Sequence, residues 1–229
     1  MILSVIIPVY NEKNTIVRVI EKVKAVKLPG IKKEIIVIDG CSTDGTRELL
    51  IDLSCNEDIC LIMEDQRRGK GMAVRTGFNK ASGDTIIIQD ADLETDPDEY
   101  PLLLEPIIKD NKRVVYGSRF KKGRGNASWG NYCGNWLVTF FMNSLFFARL
   151  SDVATVYKVF RKDVIRGLNF ECKGFDFDIE ITAKILRSGN DISEIPISYD
   201  PRMVKDGKKL HWLVGARAII LIFKYRFWG

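Results

Sequence analysis

Apolar residues along the first ninety positions fall into short unbroken runs and into helical spacings, in alternation. Ile2 to Tyr10 is a run of β-formers with no basic residues ahead of its apolar stretch, so it is expected to be a strand and not a signal peptide. Ile16, Val19, Ile20 and Val23 recur at three and four and predict an amphipathic helix ending near Leu28-Pro29-Gly30. Glu34 to Asp39 reads as a buried strand, and the polar turn Gly40 to Thr46, with Asp44 as the cap, leads into a helix over Arg47 to Leu53. Ile59 to Met63 predicts a third strand. Gly69-Lys70-Gly71 opens a helix through Ala81, and Gly83-Asp84 turns the chain into the strand at Ile86. Strands alternating with helices specify a mostly parallel α/β sheet with right-handed crossovers.

In such a sheet ligands gather outside the carboxyl ends of the strands, and there the sequence places its polar groups. Tyr10, Asn11 and Glu12 follow the first strand and Asp39 ends the second. Ile86-Ile87-Ile88-Gln89 runs into Asp90, Asp92 and Glu94. Read as a continuing strand, those three carboxylates share one side of the backbone, an arrangement that suits a hard divalent cation bound by oxygen ligands. No Gly-x-Gly-x-x-Gly follows the first strand and no Walker-type loop is present.

The second half carries a different signature. Over Asn131 to Leu150, the residues Asn131, Asn135, Thr139 and Asn143 recur every four positions on a helix otherwise rich in Trp, Phe, Leu, Val and Met. Such a helix is either buried or lies in a membrane interface, and its apolar run is too short to span a bilayer. The segment Trp212 to Trp228 pairs an apolar face with an aromatic and basic end, the composition of a headgroup-level anchor. With 46% hydrophobic and 28% charged residues in 229, one globular domain is expected. The net charge of +5 suits an anionic partner. Five cysteines, at 41, 55, 60, 133 and 172, lack zinc-type pairing and are read as buried thiols of a reducing compartment.

Six motifs then carry a resemblance: Pro8-Val9-Tyr10-Asn11-Glu12, Asp39 with Ser42-Thr43-Asp44-Gly45-Thr46, Gly69-Lys70-Gly71, Asp90-Ala91-Asp92, Gly117-Ser118-Arg119 and Tyr199-Asp200-Pro201-Arg202. In this order they resemble the series of family 2 glycosyltransferases, and more narrowly the polyprenyl-phosphate sugar synthases. The resemblance implies a GT-A fold over residues 1–229. Residues 1–120 would form the nucleotide-sugar and metal half, and 121–229 an acceptor half with interfacial helices at about 131–150 and 211–228. It implies inverting transfer of a hexose from a GDP-mannose or UDP-glucose type donor to a polyprenyl phosphate, with Mg²⁺ or Mn²⁺ as cofactor.

By the same resemblance Pro8, Tyr10, Glu12 and Asp39 hold the nucleoside. Lys70, Asp90, Ala91 and Asp92 serve the nucleotide sugar, and Asp90, Asp92 and Glu94 serve the metal. Arg119, Arg202 and Lys208, with Lys205 and Lys209 nearby, are expected to meet the donor or acceptor phosphates. Asp92, Arg119, Glu180 and Arg202 are the expected catalytic residues, with Glu180 the candidate base. A phosphate acceptor is already ionised at neutral pH and needs no base. Two positions depart from the family pattern: Gly40 stands where many relatives carry an acid, and Asn131 and Tyr132 stand where relatives carry arginine. The expected setting is peripheral, on the cytoplasmic face of a membrane. A small anchoring subunit is compatible with it, and no nucleic-acid partner is expected. Two alternatives remain: transfer to a saccharide hydroxyl, with Glu180 or Asp178 as base, and a nucleotide-binding subunit without activity.

Overall fold

The computed structural model describes residues 1–56, 58–174, 176–201 and 212–228. Seven strands form one sheet: β1 (Ile2–Val9), β2 (Lys32–Asp39), β3 (Cys60–Met63), β4 (Thr85–Ile88), β5 (Val114–Ser118), β6 (Lys158–Arg161) and β7 (Ser193–Pro196). Their order is β3-β2-β1-β4-β6-β5-β7. The first four are mutually parallel, and β6 runs antiparallel between β4 and β5. The helices are α1 (Ile16–Ala25), α2 (Thr46–Asn56), α3 (Lys70–Lys80), α4 (Tyr100–Lys109), α5 (Trp129–Phe146), the one-turn α6 (Lys162–Ile165), α7 (Phe177–Arg187) and α8 (Trp212–Phe227). The expected mostly parallel, helix-flanked sheet is what forms.

Alternation along the strands divides the core. Leu3, Val5 and Ile7 of β1 pack with Val19, Ile20 and Val23 of α1 and Leu103, Leu104 and Ile107 of α4. Ile6, on the opposite face, packs with Ala73 and Val74 of α3 and Ile181 and Ile185 of α7. Gly77 of α3 permits that approach, since a Cβ there would stand 2.5 Å from Ile6 Cγ2. Val9, Asp39 and Met63 lie at one level across β1, β2 and β3, which gives the parallel half a common upper rim.

Helix α5 differs from an ordinary surface helix in which face is polar. Its stripe of amides and hydroxyls points inward: Asn135 and Thr139 are buried, and the stripe binds backbone. Asn135 donates to the Ser151 carbonyl and accepts from the Ala154 amide, Thr139 accepts from the Val153 amide, and Asn143 bonds both the carbonyl and the amide of Leu150. Trp129, Trp136, Leu137 and Phe140 face outward, and Phe147, which ends the helix at φ 56°, is 84% exposed. Helix α8 packs beside it through Ala218, Ile222 and Tyr225 while Ile220, Phe223, Phe227 and Trp228 stay exposed. Among the described residues no helix is long and apolar enough to cross a membrane. The five cysteines are all free thiols, and none is buried as expected: Cys55 and Cys133 are exposed, and Cys41, Cys60 and Cys172 are half-buried.

Candidate active site

The acidic segment is a turn, which corrects the strand reading. β4 ends at Ile88, so Asp90, Asp92 and Glu94 do not alternate on one side. Leu93 takes φ 60°, and the Asp92 carboxylate folds back to accept from the Glu94 amide at 3.1 Å. Buried Gln89 fixes the base of the turn. Its Oε1 accepts from the hydroxyls of Tyr100 (2.8 Å) and Tyr157 (2.9 Å), and its Nε2 donates to the Asp90 carbonyl. Asp90 meets Lys70 Nζ at 2.7 and 2.9 Å through its two oxygens. Buried Glu94 accepts from the Tyr199 hydroxyl at 3.1 Å, and its carbonyl accepts from the Asp200 amide, which ties the Tyr199-Asp200-Pro201 motif to the turn. Among the described residues no three acidic, histidine or cysteine side chains converge as a ready metal cluster.

The Gly-Lys-Gly motif has a packing reason. Gly69 lies at φ 94°, and a Cβ on Gly69 or Gly71 would come within 2.5 or 2.6 Å of the carbonyl oxygens of Lys173 or Cys172. Close packing of that loop onto the start of α3 sets Lys70 against Asp90. Burial works against the ammonium, but Asp90 and then Asp178 hold its pKa above the ordinary value.

Beneath the turn lies a layer of paired charges. Fully buried Lys158 meets Asp178 at 2.6 Å and also donates to the Thr155 carbonyl. Burial lowers the Lys158 pKa, while Asp178, which burial alone would raise, is held below the carboxylate range by Lys158 and Lys70. Arg119 grips buried Asp152 with two prongs, Nε at 2.7 Å and Nη2 at 2.8 Å, and Nη2 also reaches the Ala154 carbonyl. Glu194 in turn accepts from the Ser151 amide and hydroxyl and the Asp152 amide, fixing the loop from outside. The Arg119 fork is therefore engaged with Asp152, and its guanidinium lies 5.2 Å from the Tyr199 ring centre.

At the opposite end of the rim stand the residues expected to hold a nucleoside. Pro8 pairs with Ile38 within the sheet, one residue below the strand tips. Asp39 is fully buried, with Arg47 Nε 3.0 Å away and the Ser42 amide donating to its carboxylate. Tyr10 carries the Arg67 guanidinium 4.2 Å above its ring. Glu12 accepts from Thr15 Oγ1, and Asp44, as expected of a cap, accepts from the Thr46 amide. Ala91 is buried within the acidic turn.

Glu180 stands apart from these residues. Its carboxylate is buried and accepts from the amides of Glu171 (2.6 Å) and Cys172 (2.8 Å), with Lys184 Nζ at 2.8 Å. It clamps the loop ahead of α7; Asp178, two residues earlier, is the acid that joins the charged layer. Glu180→Gln is expected to cost ~1–3 kcal/mol of stability by weakening that clamp and to leave the pH profile of the reaction unchanged. Denaturant titration beside a rate profile checks both. Arg202, Lys205, Lys208, Lys209 and His211 lie outside the described residues.

The model of the family described as "Glycosyl transferase family 2" matches residues 4–168. The chain belongs to that family. Proteins similar to it include a dolichol-phosphate mannosyltransferase of Pyrococcus furiosus, 30% identical over 91% of this chain and 59% of that protein. An undecaprenyl-phosphate mannosyltransferase of Micrococcus luteus is 26% identical over 93% of this chain and 90% of its own. The chain thus spans about three-fifths of the first relative and nine-tenths of the second. Glucosyl-3-phosphoglycerate synthase of Mycobacterium tuberculosis, crystallised with Mn²⁺, UDP and phosphoglyceric acid, has the same fold: TM-score 0.75 at 19% identity, covering 98% of this chain and 78% of that one. Among the residues of this family member that sequence reasoning passed over, Asp152, Lys158 and Glu194 matter most. One signal was present, a lysine centred in the apolar segment Tyr157-Lys158-Val159-Phe160, where a buried cation demands a partner.

Proposed function

We propose that the protein moves a hexosyl group from a nucleoside diphosphate sugar to the phosphate of a polyprenyl phosphate, with inversion, at the cytoplasmic face of a membrane. One observation carries the acceptor half of this reading. A cleft of about 290 Å³ is lined by Ser151, Asn135 and Thr139 on its polar side and by Phe120, Tyr132, Trp136 and Phe140 on its apolar side. It starts beside Asp152 and reaches the exposed rings of α5. A molecule with a polar head and an apolar tail matches that gradient. The outward faces of α5 and α8, with Lys224 and Arg226 at the end of α8, supply a surface suited to anionic lipid. The names of the two mannosyltransferase relatives support the same acceptor class.

The donor diphosphate is assigned to the acidic turn. Its oxygen-only donors fit a hard cation such as Mg²⁺ or Mn²⁺, with Asp92 and Asp90 as ligands and Glu94 holding the turn through Tyr199. The bound ion would offset the charge that builds on the leaving diphosphate. Lys70 lies where a second positive charge can assist the same group. The acceptor phosphate attacks with its own charge, so no residue is assigned as base, and Arg202 and Lys208 are assigned to phosphate binding on the motif alone.

The test offers GDP-mannose, UDP-glucose and UDP-N-acetylglucosamine with a short polyprenyl phosphate and Mn²⁺. One sugar should appear on the lipid, with a rate that falls as pH drops through the phosphate's second pKa near ~6. Transfer to a saccharide hydroxyl with none to the lipid would overturn the reading. Carbonate washing should release much of the protein from vesicles; retention until detergent is added would remove the peripheral assignment.

A further inference from the structure

At the nucleoside end of the rim, one buried carboxylate is incompletely used. Glu64 follows β3 and is 2% exposed. Its Oε1 accepts from Arg68 at 2.7 Å, while its Oε2 is buried without a hydrogen-bond partner. Desolvating an acceptor without a partner is costly, and a site that retains one is organised for a donor. The register places this residue. Val9, Asp39 and Met63 are at one level, so the next residues along the chain, Tyr10, Gly40 and Glu64, make a row across three parallel strands. Strands lie about 4.8 Å apart, so the row is roughly 10 Å from end to end, long enough for a purine to reach from Tyr10 to Glu64. Gly40 puts no side chain in the middle of the row; it is buried, and the Tyr10 side chain lies against it.

Two exposed arginines occupy the ends of the row. Arg67 lies flat over Tyr10, where an aromatic base would stack, and Arg68 presents guanidinium N–H groups to Glu64. The Arg67 contact is exposed and cheap to displace, whereas Arg68 reaches a fully buried carboxylate, so a base must replace that charge-assisted bond with its own N–H groups. Guanine contains the same guanidine unit as arginine, and its N1–H and N2–H face one direction. A carboxylate accepts both at once. Uracil offers a single N–H flanked by two carbonyl oxygens, so a second carboxylate oxygen would meet a like partial charge. The buried Arg47 Nε, close to Asp39 but out of line for a hydrogen bond, adds an unsatisfied donor to the same corner.

We propose that Glu64 selects the nucleobase of the donor, and that the base it selects is guanine. The proposal rests on the reading that a nucleoside diphosphate sugar binds at this rim, and it goes further by choosing among such donors. Glutamine at position 64 would present one acceptor and one donor, a pattern that fits the N–H and carbonyl of uracil and can no longer accept guanine N1–H and N2–H together.

The experiment is calorimetric titration of the whole protein with GDP, IDP and UDP, each with Mg²⁺. GDP should bind about 10- to 100-fold more tightly than UDP, and IDP, which lacks the N2 amine, should be weaker than GDP by about 10-fold. Glu64→Gln should abolish the difference between GDP and IDP and move the preference toward UDP. Arg68→Ala should tighten GDP by removing a competitor. Tighter binding of UDP than GDP by the wild type, equal binding of GDP and IDP, or an unchanged preference in folded Glu64→Gln would each overturn the proposal, as would failure of all three nucleotides to bind. The IDP comparison needs no variant, so it stands even if Glu64→Gln does not fold. Guanine preference without sugar transfer to a polyprenyl phosphate would remove the proposed function and leave this inference standing.

Discussion

Asp92→Asn is expected to lower the transfer rate by about 10²- to 10³-fold, the scale on which one preorganised electrostatic contact to a developing charge acts. Asp92 lies in the tight turn after β4, with its carboxylate folded back onto the Glu94 amide. Asparagine keeps that acceptor and the size of the side chain, so the turn should persist while the negative charge disappears. The loss should therefore fall on kcat and on the Mn²⁺ concentration needed for half-maximal rate, with the melting temperature nearly constant. Asp90→Asn is a useful contrast, because it also releases Lys70 from a half-buried pair and should change stability as well as rate. Wild-type turnover by Asp92→Asn in the presence of EDTA would sink the role assigned to the ion.

Asp152→Ala is the substitution expected to damage the fold most. It would leave Arg119 largely buried with its fork unmatched, and breaking such a pair from one side costs ~3–5 kcal/mol. For a chain of this length each kcal/mol is worth about 2–4 °C, so the melting temperature should fall by roughly 6–20 °C. The guanidinium, whose pKa Asp152 holds above its ordinary value against the opposing effect of burial, cannot escape the cost by losing its proton. Replacing both residues, as in Arg119→Met with Asp152→Ala, should recover most of the stability and none of the activity. A double variant no more stable than Asp152→Ala would show that the pair does not account for the loss.

How far the sequence foretold this arrangement depends on the distance over which each feature is encoded. β1 to β4 and the helices between them follow from local periodicity, and the rim follows from where the polar residues interrupt it. β6 is not evident because it is only four residues long with a cation at each end. β7 is four half-buried residues, two of them polar. The partners of the charges were not legible at all. Lys70 finds Asp90 twenty residues on, and Arg119 finds Asp152 thirty-three residues on, distances that only the folded sheet closes. The acidic segment was misread for a local reason. Alternation assumes that the strand continues, but β4 stops at Ile88 and the chain turns, with Leu93 in the left-handed region inside that turn. Periodicity likewise showed that Asn135, Thr139 and Asn143 share a face, but nothing in a period says whether that face looks in or out.

For α5 it looks in, and that reverses which substitutions the helix can accept. On a helix facing water, drift is freest among polar residues on the outside. Here the amides of Asn135 and Asn143 each match one particular carbonyl and one particular N–H of the loop that carries Asp152, so even Asn to Asp would set a carboxylate against a carbonyl. The outward rings of Trp136 and Phe140 make no hydrogen bond to that loop, and any bulky apolar residue can replace them without moving it. The outer face of the helix can thus be retuned by inheritance to new surroundings while the geometry of the charged layer is passed on unchanged.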